Sequence, residues 1–305
     1  MAFKLAFSTV ACPQLTVEEV VRQAKEWGYQ GIELRTRGLG GSDLASDPAL
    51  TEPAKIISVF EKMEIEPVCV STEVSLHHRD STRLHQATAQ LKRDLELAAA
   101  LGAKAVRIFA DEVDLGEDRR QVMQRVARNV RPLVDRAAEL GVQVLFENTP
   151  TFGQAKWWWW LLNLIEHPML GVCWNVANAA AVGELSSISV PNLNSRIKLV
   201  KVQDVQVGIG TGYVSLGEGD VGIQDLIKRL MGIGYDGYLT VEWDRLWLPS
   251  LAPAEEYLPD ALSRLHGWFQ EIAEIEEKGR KVAEKAAARN APKPAAKSYS
   301  PSVRQ

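Results

Sequence analysis

Residues 223–243, IQDLIKRLMGIGYDGYLTVEW, contain a complete helix–turn–strand unit and end on an acid. An amphipathic stretch, Ile223–Met231, stops in the glycine-rich turn GIGYDG. A short alternating run, YLTVEW, follows, with Glu242 near its end. An ionisable group at the tip of a buried strand is costly to hold unless it is paired. The C-terminal ends of the strands are also where a (β/α)₈ barrel carries its chemistry.

The same unit recurs along the chain. Strand-like runs lie at Lys4–Ser8, GIELR (31–35), EPVCVST (66–72), KAVRIFA (104–110), VQVLFEN (142–148), GVCWN (171–175), IKLVKVQD (197–204) and YLTVEW (238–243). Between them, helical patterns cover about 53–63, 81–101, 119–140 and 156–166. A first helix begins at Thr16, with Glu19 at the capping-box position and Gly28 as terminator. EWGYQG, ALGAK, ELGVQ and GIGYDG repeat one helix-to-strand turn. Eight alternations predict an α/β (β/α)₈ TIM barrel over residues 1–275, with a doubly wound sheet as the alternative. A last helix is expected over about 253–278. Residues 276–305, rich in Ala, Lys and Pro, read as a fraying and then disordered tail.

With 46% hydrophobic and 24% charged residues the chain is of ordinary globular composition. A net charge of −4 gives no basic footprint, so nucleic acid is not an expected partner. No apolar run reaches the ~18 residues of a spanning helix, so no membrane is expected either. Cys12, Cys69 and Cys173 are odd in number, far apart and set in or beside apolar runs. Buried thiols and a cytoplasmic location follow as expectations. The expected partner is a small sugar-like molecule, and a homo-oligomer is compatible with the sequence.

Strand parity gathers the candidate site. Residues two apart share a face. One face collects Glu33 and Arg35, Arg107, Glu147, Asn175, Lys201 and Gln203, and Glu242, while the other faces are apolar. These polar faces should look inward. Arg35 and Arg107 read either as binders of an anionic substrate group or as an internal ion-pair layer. Trp157–Trp160 open the helix before strand six, and at 100° per residue they cannot all share a buried face. At least one should be exposed, as a lid, a subunit contact or plain surface. Trp247 offers an aromatic wall, and Trp243 has outward parity. Amides of Gly217–Asp220 read either as a phosphate cradle or as a pliant loop.

Several segments resemble the sugar phosphate isomerase/epimerase superfamily, the xylose isomerase-like barrels. They are FST, WGYQGIELR, VLFEN, VKVQD and LGEGDVGIQDLIKRLMGIGYDGYLTVEW. The resemblance implies a divalent metal held by four strand tips. Glu147 and Glu242 match two of them. The family's Asp falls on Asn175, its His on Lys201, and a further His on Asn178. All five histidines, His77, His78, His85, His167 and His266, lie elsewhere, which excludes a His-rich nuclease cluster. No cofactor is therefore expected, with a weakly bound Mg or Mn as the alternative; the degenerate metal site would be Glu147, Asn175, Lys201 and Glu242. The resemblance implies an isomerase or epimerase; the expectation is metal-independent proton transfer beside a carbonyl of a small, anionic sugar-like substrate, with Glu147 and Glu242 as the acid/base pair and Lys201, by its charge, as a third catalytic group. Glu33, Arg35, Arg107, Asn175 and Gln203 would bind substrate. Lys201 is open to three roles: electrophile, mere neutraliser of the two glutamates, or Schiff-base amine opposed by those acids. The alternative function is a non-catalytic sugar-binding or assembly protein on a retired barrel.

Overall fold

The computed structural model describes residues 3–36, 52–110, 113, 116–208 and 212–290. Side chains are described to residue 285. Eight strands close into a parallel barrel: β1 (Lys4–Ser8), β2 (Gly31–Arg35), β3 (Glu66–Ser75), β4 (Ala105–Phe109), β5 (Gln143–Glu147), β6 (Leu170–Asn175), β7 (Ile197–Val202) and β10 (Tyr238–Val241). β1 pairs with both β2 and β10, which completes the ring. The expected barrel is the observed one. A two-stranded antiparallel ribbon, β8 (Asp204–Val205) with β9 (Tyr213–Val214), rises after β7.

The helices follow from local chemistry. α1 (Val17–Trp27) starts with a full capping box between Thr16 and Glu19. α2 is Pro53–Met63. Asp80 and Asp118 cap α3 (Ser81–Leu101) and α4 (Arg119–Leu140) by accepting from Arg83 N and Arg120 N. Gly28, Gly102 and Gly141 end α1, α3 and α4 at φ +92°, +76° and +67°, a region closed to most side chains. In each case the next residue donates to a carbonyl five residues back: Tyr29 to Ala24, Ala103 to Ala98, Val142 to Ala137. Gly234 allows the same bond from Tyr235 to Leu230 after α8 (Ile223–Gly232). The repeated glycine turns of the sequence are thus one structural device used four times.

α5 (Ala155–Ile165) carries the four tryptophans. Trp158 is buried, and its Nε1 donates to Phe152 O at 2.7 Å, while Trp159 is 47% exposed. Two short helices, α6 (Val176–Ala180) and α7 (Ser186–Leu193), follow β6, where the sequence reading has none. The last helix, α9, runs Ala254–Asn290, well past the expected Lys278. The chain divides into two compact units, 1–265 and 266–305, and the site lies in the first. Among the described residues no helix is long and apolar enough to cross a membrane. The three cysteines are free and buried.

Inside the barrel the strands lay down two kinds of layer. Ala6, Cys69, Ala105, Leu145, Cys173, Leu199 and Tyr238 form an apolar plug. Two residues further along the same strands stand Ser8, Ser71, Arg107, Glu147, Asn175, Lys201 and Thr240. All of these are buried. Inward parity therefore holds, and the change from apolar to polar marks the floor of the site.

Candidate active site

Lys201 stands at the centre of the polar layer, with its side chain wholly out of solvent. Its Nζ lies 2.5 Å from Glu242 Oε1, 3.1 Å from Glu147 Oε2 and 3.1 Å from Glu33 Oε1. The ammonium thus pairs with three carboxylates, and the closest contact, with Glu242, is a hydrogen bond. Burial alone would depress the amine's pKa, but the three acids outweigh it and hold it well above its ordinary value. The amine stays charged, which argues against a nucleophilic Schiff-base role.

Asn175 ties the same two glutamates from the side. Its Nδ2 donates to Glu147 Oε1 and to Glu242 Oε2, both at 3.0 Å. The amide cannot be the other way round. Its Oδ1 accepts from Ala177 N and Asn178 N at 3.1 and 3.2 Å, capping α6. Asn148 then locks the backbone of Asn175 on both sides, accepting from its N at 2.6 Å and donating to its O at 2.8 Å. The helix missed in sequence is what sets this amide.

Arg107 completes the cluster, with Nε 2.9 Å from Glu147 Oε2. Its other nitrogens donate to Thr72 O and Ser71 Oγ. Arg35 donates to Thr9 O, to Cys12 O at 3.4 Å and to Pro13 O at 3.0 Å. Both arginines line the cavity, yet their hydrogen bonds run to the protein. Of the two roles open in sequence, this geometry favours the internal layer over the binding of an anionic group. Gln203 Nε2 donates to Asp244 Oδ2 at 3.2 Å, and Tyr213 OH to the same oxygen at 2.7 Å. Sequence reasoning misses Asp244, Tyr213, Asn148, Ser71 and Thr72 as site residues. Only Asp244 has a signal, its shared parity with Glu242.

A cavity of about 190 Å³ opens above this layer. Glu147, Glu242, Asn175, Arg107 and Gln203 face it, and Trp247, half exposed, stands at its edge. Glu33 and Lys201 are not among its walls. Trp157–Trp160 do not line it either, and Trp243 packs outward, stacked on Tyr257 at 3.7 Å. The phosphate-cradle reading of the glycine loop is answered by Asp204. This buried carboxylate accepts from Gly217 N (2.7 Å), Gly219 N (3.1 Å), Val221 N (3.2 Å) and Val205 N (3.0 Å). The amides hold the protein's own anion.

The formal charges in the cluster do not balance. Glu33, Glu147 and Glu242 face Lys201 and Arg107, three acids against two cations. A buried excess charge is expensive, and a proton removes it. Burial pushes Glu242 up to about 8; the short contact with Lys201 opposes this, and the nearby Glu147, Asp244 and Glu33 reinforce it. Burial acts the same way on Glu147, but there Lys201, Arg107 and the hydrogen bonds from Asn175 and Lys201 win. They hold it below the ordinary carboxylate range. Their surroundings displace the two carboxyls in opposite directions.

A sequence model of the family described as xylose isomerase-like TIM barrel matches residues 21–270. The chain is similar to fructoselysine 3-epimerase of Escherichia coli O157:H7, at 22% identity over 251 residues, covering 78% of this chain and 90% of that protein. Among solved structures it is similar to the IOLI protein with a bound zinc atom (TM-score 0.77, 17% identity, covering 88% of this chain and 99% of that one). It is also similar to 3-keto-D-glucoside 4-epimerase from E. coli (TM-score 0.72, 15% identity, 87% and 99% covered). At these identities the solved structures bear on the fold alone.

Proposed function

Because the chain belongs to the xylose isomerase-like TIM-barrel family, we propose that it is a sugar epimerase or isomerase that moves a proton at the carbon beside a carbonyl. The observation that carries this reading is the opposite displacement of two carboxyl groups facing one cavity, Glu147 down and Glu242 up. Environments that push paired carboxyls apart assign the base and the acid. Glu147 takes the proton from carbon and leaves an enediolate. Glu242 returns a proton from its own side: to the same carbon, which inverts the centre, or to the neighbouring carbon, which isomerises the sugar once the hydroxyl proton of the enediolate has passed to its other oxygen. Glu147 then holds the proton and Glu242 the charge, and exchange with water resets the pair. Lys201 and Arg107 contribute the positive field beside the enediolate; Lys201, outside the cavity wall, acts through that field rather than by contact.

The family resemblance implies a divalent metal, and the donor set at this centre does not fit one. Where a cation would sit between Glu147 and Glu242 there is the Lys201 ammonium, and Asn175 presents its NH₂ rather than its oxygen. Two groups that offer protons cannot ligate a cation. No step is assigned to a metal. The substrate we propose is a neutral sugar, since both arginines are committed to the protein and the walls are net acidic. Similarity to fructoselysine 3-epimerase supports the sugar class.

The test is deuterium exchange from solvent into a panel of neutral ketoses, with and without EDTA. Exchange should survive EDTA and fall by about 10²–10⁴ in Glu147→Gln and Glu242→Gln, the scale of a general acid or base. Exchange that needs added metal would refute the assignment. A second reading is favoured by the burial of Lys201: a retired site that binds sugar without turning it over. Ligand binding with no exchange across the panel would establish it.

A further inference from the structure

A second cavity, of about 200 Å³, adjoins the first. Asn178, Gln203 and Tyr213 line both, so these three side chains form the boundary, or waist, between them. The waist is held in place. Asn178 Nδ2 donates to Asn148 O at 2.8 Å, which leaves its carbonyl oxygen to meet a ligand hydroxyl. Tyr213 OH is bonded to Asp244, and its ring sits edge-on to Trp243 at 6.3 Å. Beyond the waist the wall is formed by the start of α6 and by the ribbon after β7, including Ala181, Val205 and Val207.

The two chambers differ in charge. The first holds Glu73, Glu147, Glu242, Asp244, Arg35 and Arg107. The second has no ionisable acid or base on its walls among the described residues apart from the Tyr213 hydroxyl, whose pKa is driven up by burial and by Asp244. The whole sequence stretch 205–217, VQVGIGTGYVSLG, carries no charged residue. Each chamber alone is smaller than the ~300 Å³ at which drug-sized ligand sites begin, and together they exceed it.

Resting on the sugar-epimerase reading above, we infer that the substrate is a two-part neutral molecule: a keto sugar over Glu147 and Glu242, joined to an uncharged glycosyl-sized group in the chamber beyond Asn178, Gln203 and Tyr213. A hydroxyl-bearing group suits walls made of amides, backbone and small apolar side chains. A phosphate or carboxylate substituent would enter without a cation to receive it.

Binding tests this separately from turnover. The probes are D-fructose, D-fructose 6-phosphate and four glucosyl-fructoses linked through O1, O3, O5 and O6, titrated into the full-length protein by calorimetry. At least one glucosyl-fructose should bind tenfold or more tightly than fructose, and the phosphate should bind less tightly than fructose. Ala181→Phe, which narrows the second chamber from an exposed position, should weaken that glucosyl-fructose at least tenfold more than it weakens fructose. If no linkage isomer outbinds fructose, or the phosphate binds best, or Ala181→Phe weakens both ligands equally, the inference fails. Tight binding of a glucosyl-fructose with no deuterium exchange would uphold the two-chamber site and refute the epimerase reading instead.

Discussion

Glu242→Gln should change how stability depends on pH, by an amount the cluster sets. Glu242 has an ordinary pKa of 4.5 when unfolded and about 8 when folded. The folded state therefore holds a proton that the unfolded state has released between those values. That contribution to stability is complete below pH 4.5 and is lost as pH rises through 8. The displacement, at about 1.4 kcal/mol per pH unit, corresponds to about 5 kcal/mol between pH 4 and pH 9 as an upper limit. For a barrel of this size that is a fall of roughly 10–20 °C in Tm. A glutamine amide at this position cannot titrate, and with it the cluster holds two carboxylates against two cations at every pH. The variant should lose little over the alkaline range and should be the more stable protein at pH 9. The assay is urea denaturation of both proteins from pH 5 to pH 9, taking the difference so that the five histidines cancel. Parallel curves, within about 1 kcal/mol across the range, would refute the claim that Glu242 carries the cluster's proton.

Lys201→Met removes the shared partner of three buried carboxylates; it should cost about 3–5 kcal/mol by denaturant midpoint and raise the pKa of Glu147, read by infrared titration of its carboxyl band. The double change Asn175→Asp with Lys201→His replaces both proton donors at the centre with ligands. It should bind about one Mn or Zn per chain by elemental analysis, where the native chain should hold none tightly. Asp204→Asn should free the amides of Gly217, Gly219 and Val221 and speed their hydrogen exchange by roughly 10–100-fold, the scale of one lost charge-assisted bond; unchanged protection would show that the loop stands without its anchor.

The fold was legible because it repeats. Thr16 with Glu19, and the glycines at 28, 102 and 141, mark their helices to the residue, since caps and left-handed turns are local chemistry. The inward faces were legible because parity is local too. What parity does not carry is height along the barrel axis. Glu33 and Lys201 share a face with Glu147, yet Glu147 lines the cavity and they do not. Most hydrogen bonds of Arg35 and Arg107 were hidden for another reason: apart from Ser71 Oγ, their acceptors, on Thr9, Cys12, Pro13 and Thr72, are backbone carbonyls that any residue type could supply. α6 was missed because VANAA is too short to show a period, and its cap, Asn175, doubles as a site residue. The ribbon β8–β9 joins segments on either side of a glycine-rich turn, in strands of two residues each.

The placement of Lys201 and its three carboxylate partners has a consequence for how the chain folds. Lys201 on β7 lies between β6 and β10 in the ring; Glu242 follows β10 on one flank, and Glu147 ends β5, one strand beyond β6, on the other. Glu33 comes from β2, which joins β10 only through β1. It meets Lys201 across the lumen. An open sheet running from β5 to β10 can already form two of the three ion pairs. The third forms only when the first strand closes on the last, the step with the largest loop-closure cost. The Glu33–Lys201 contact is then a latch on ring closure, absent from the transition state. Truncating Glu33 should speed unfolding and leave the folding rate nearly unchanged.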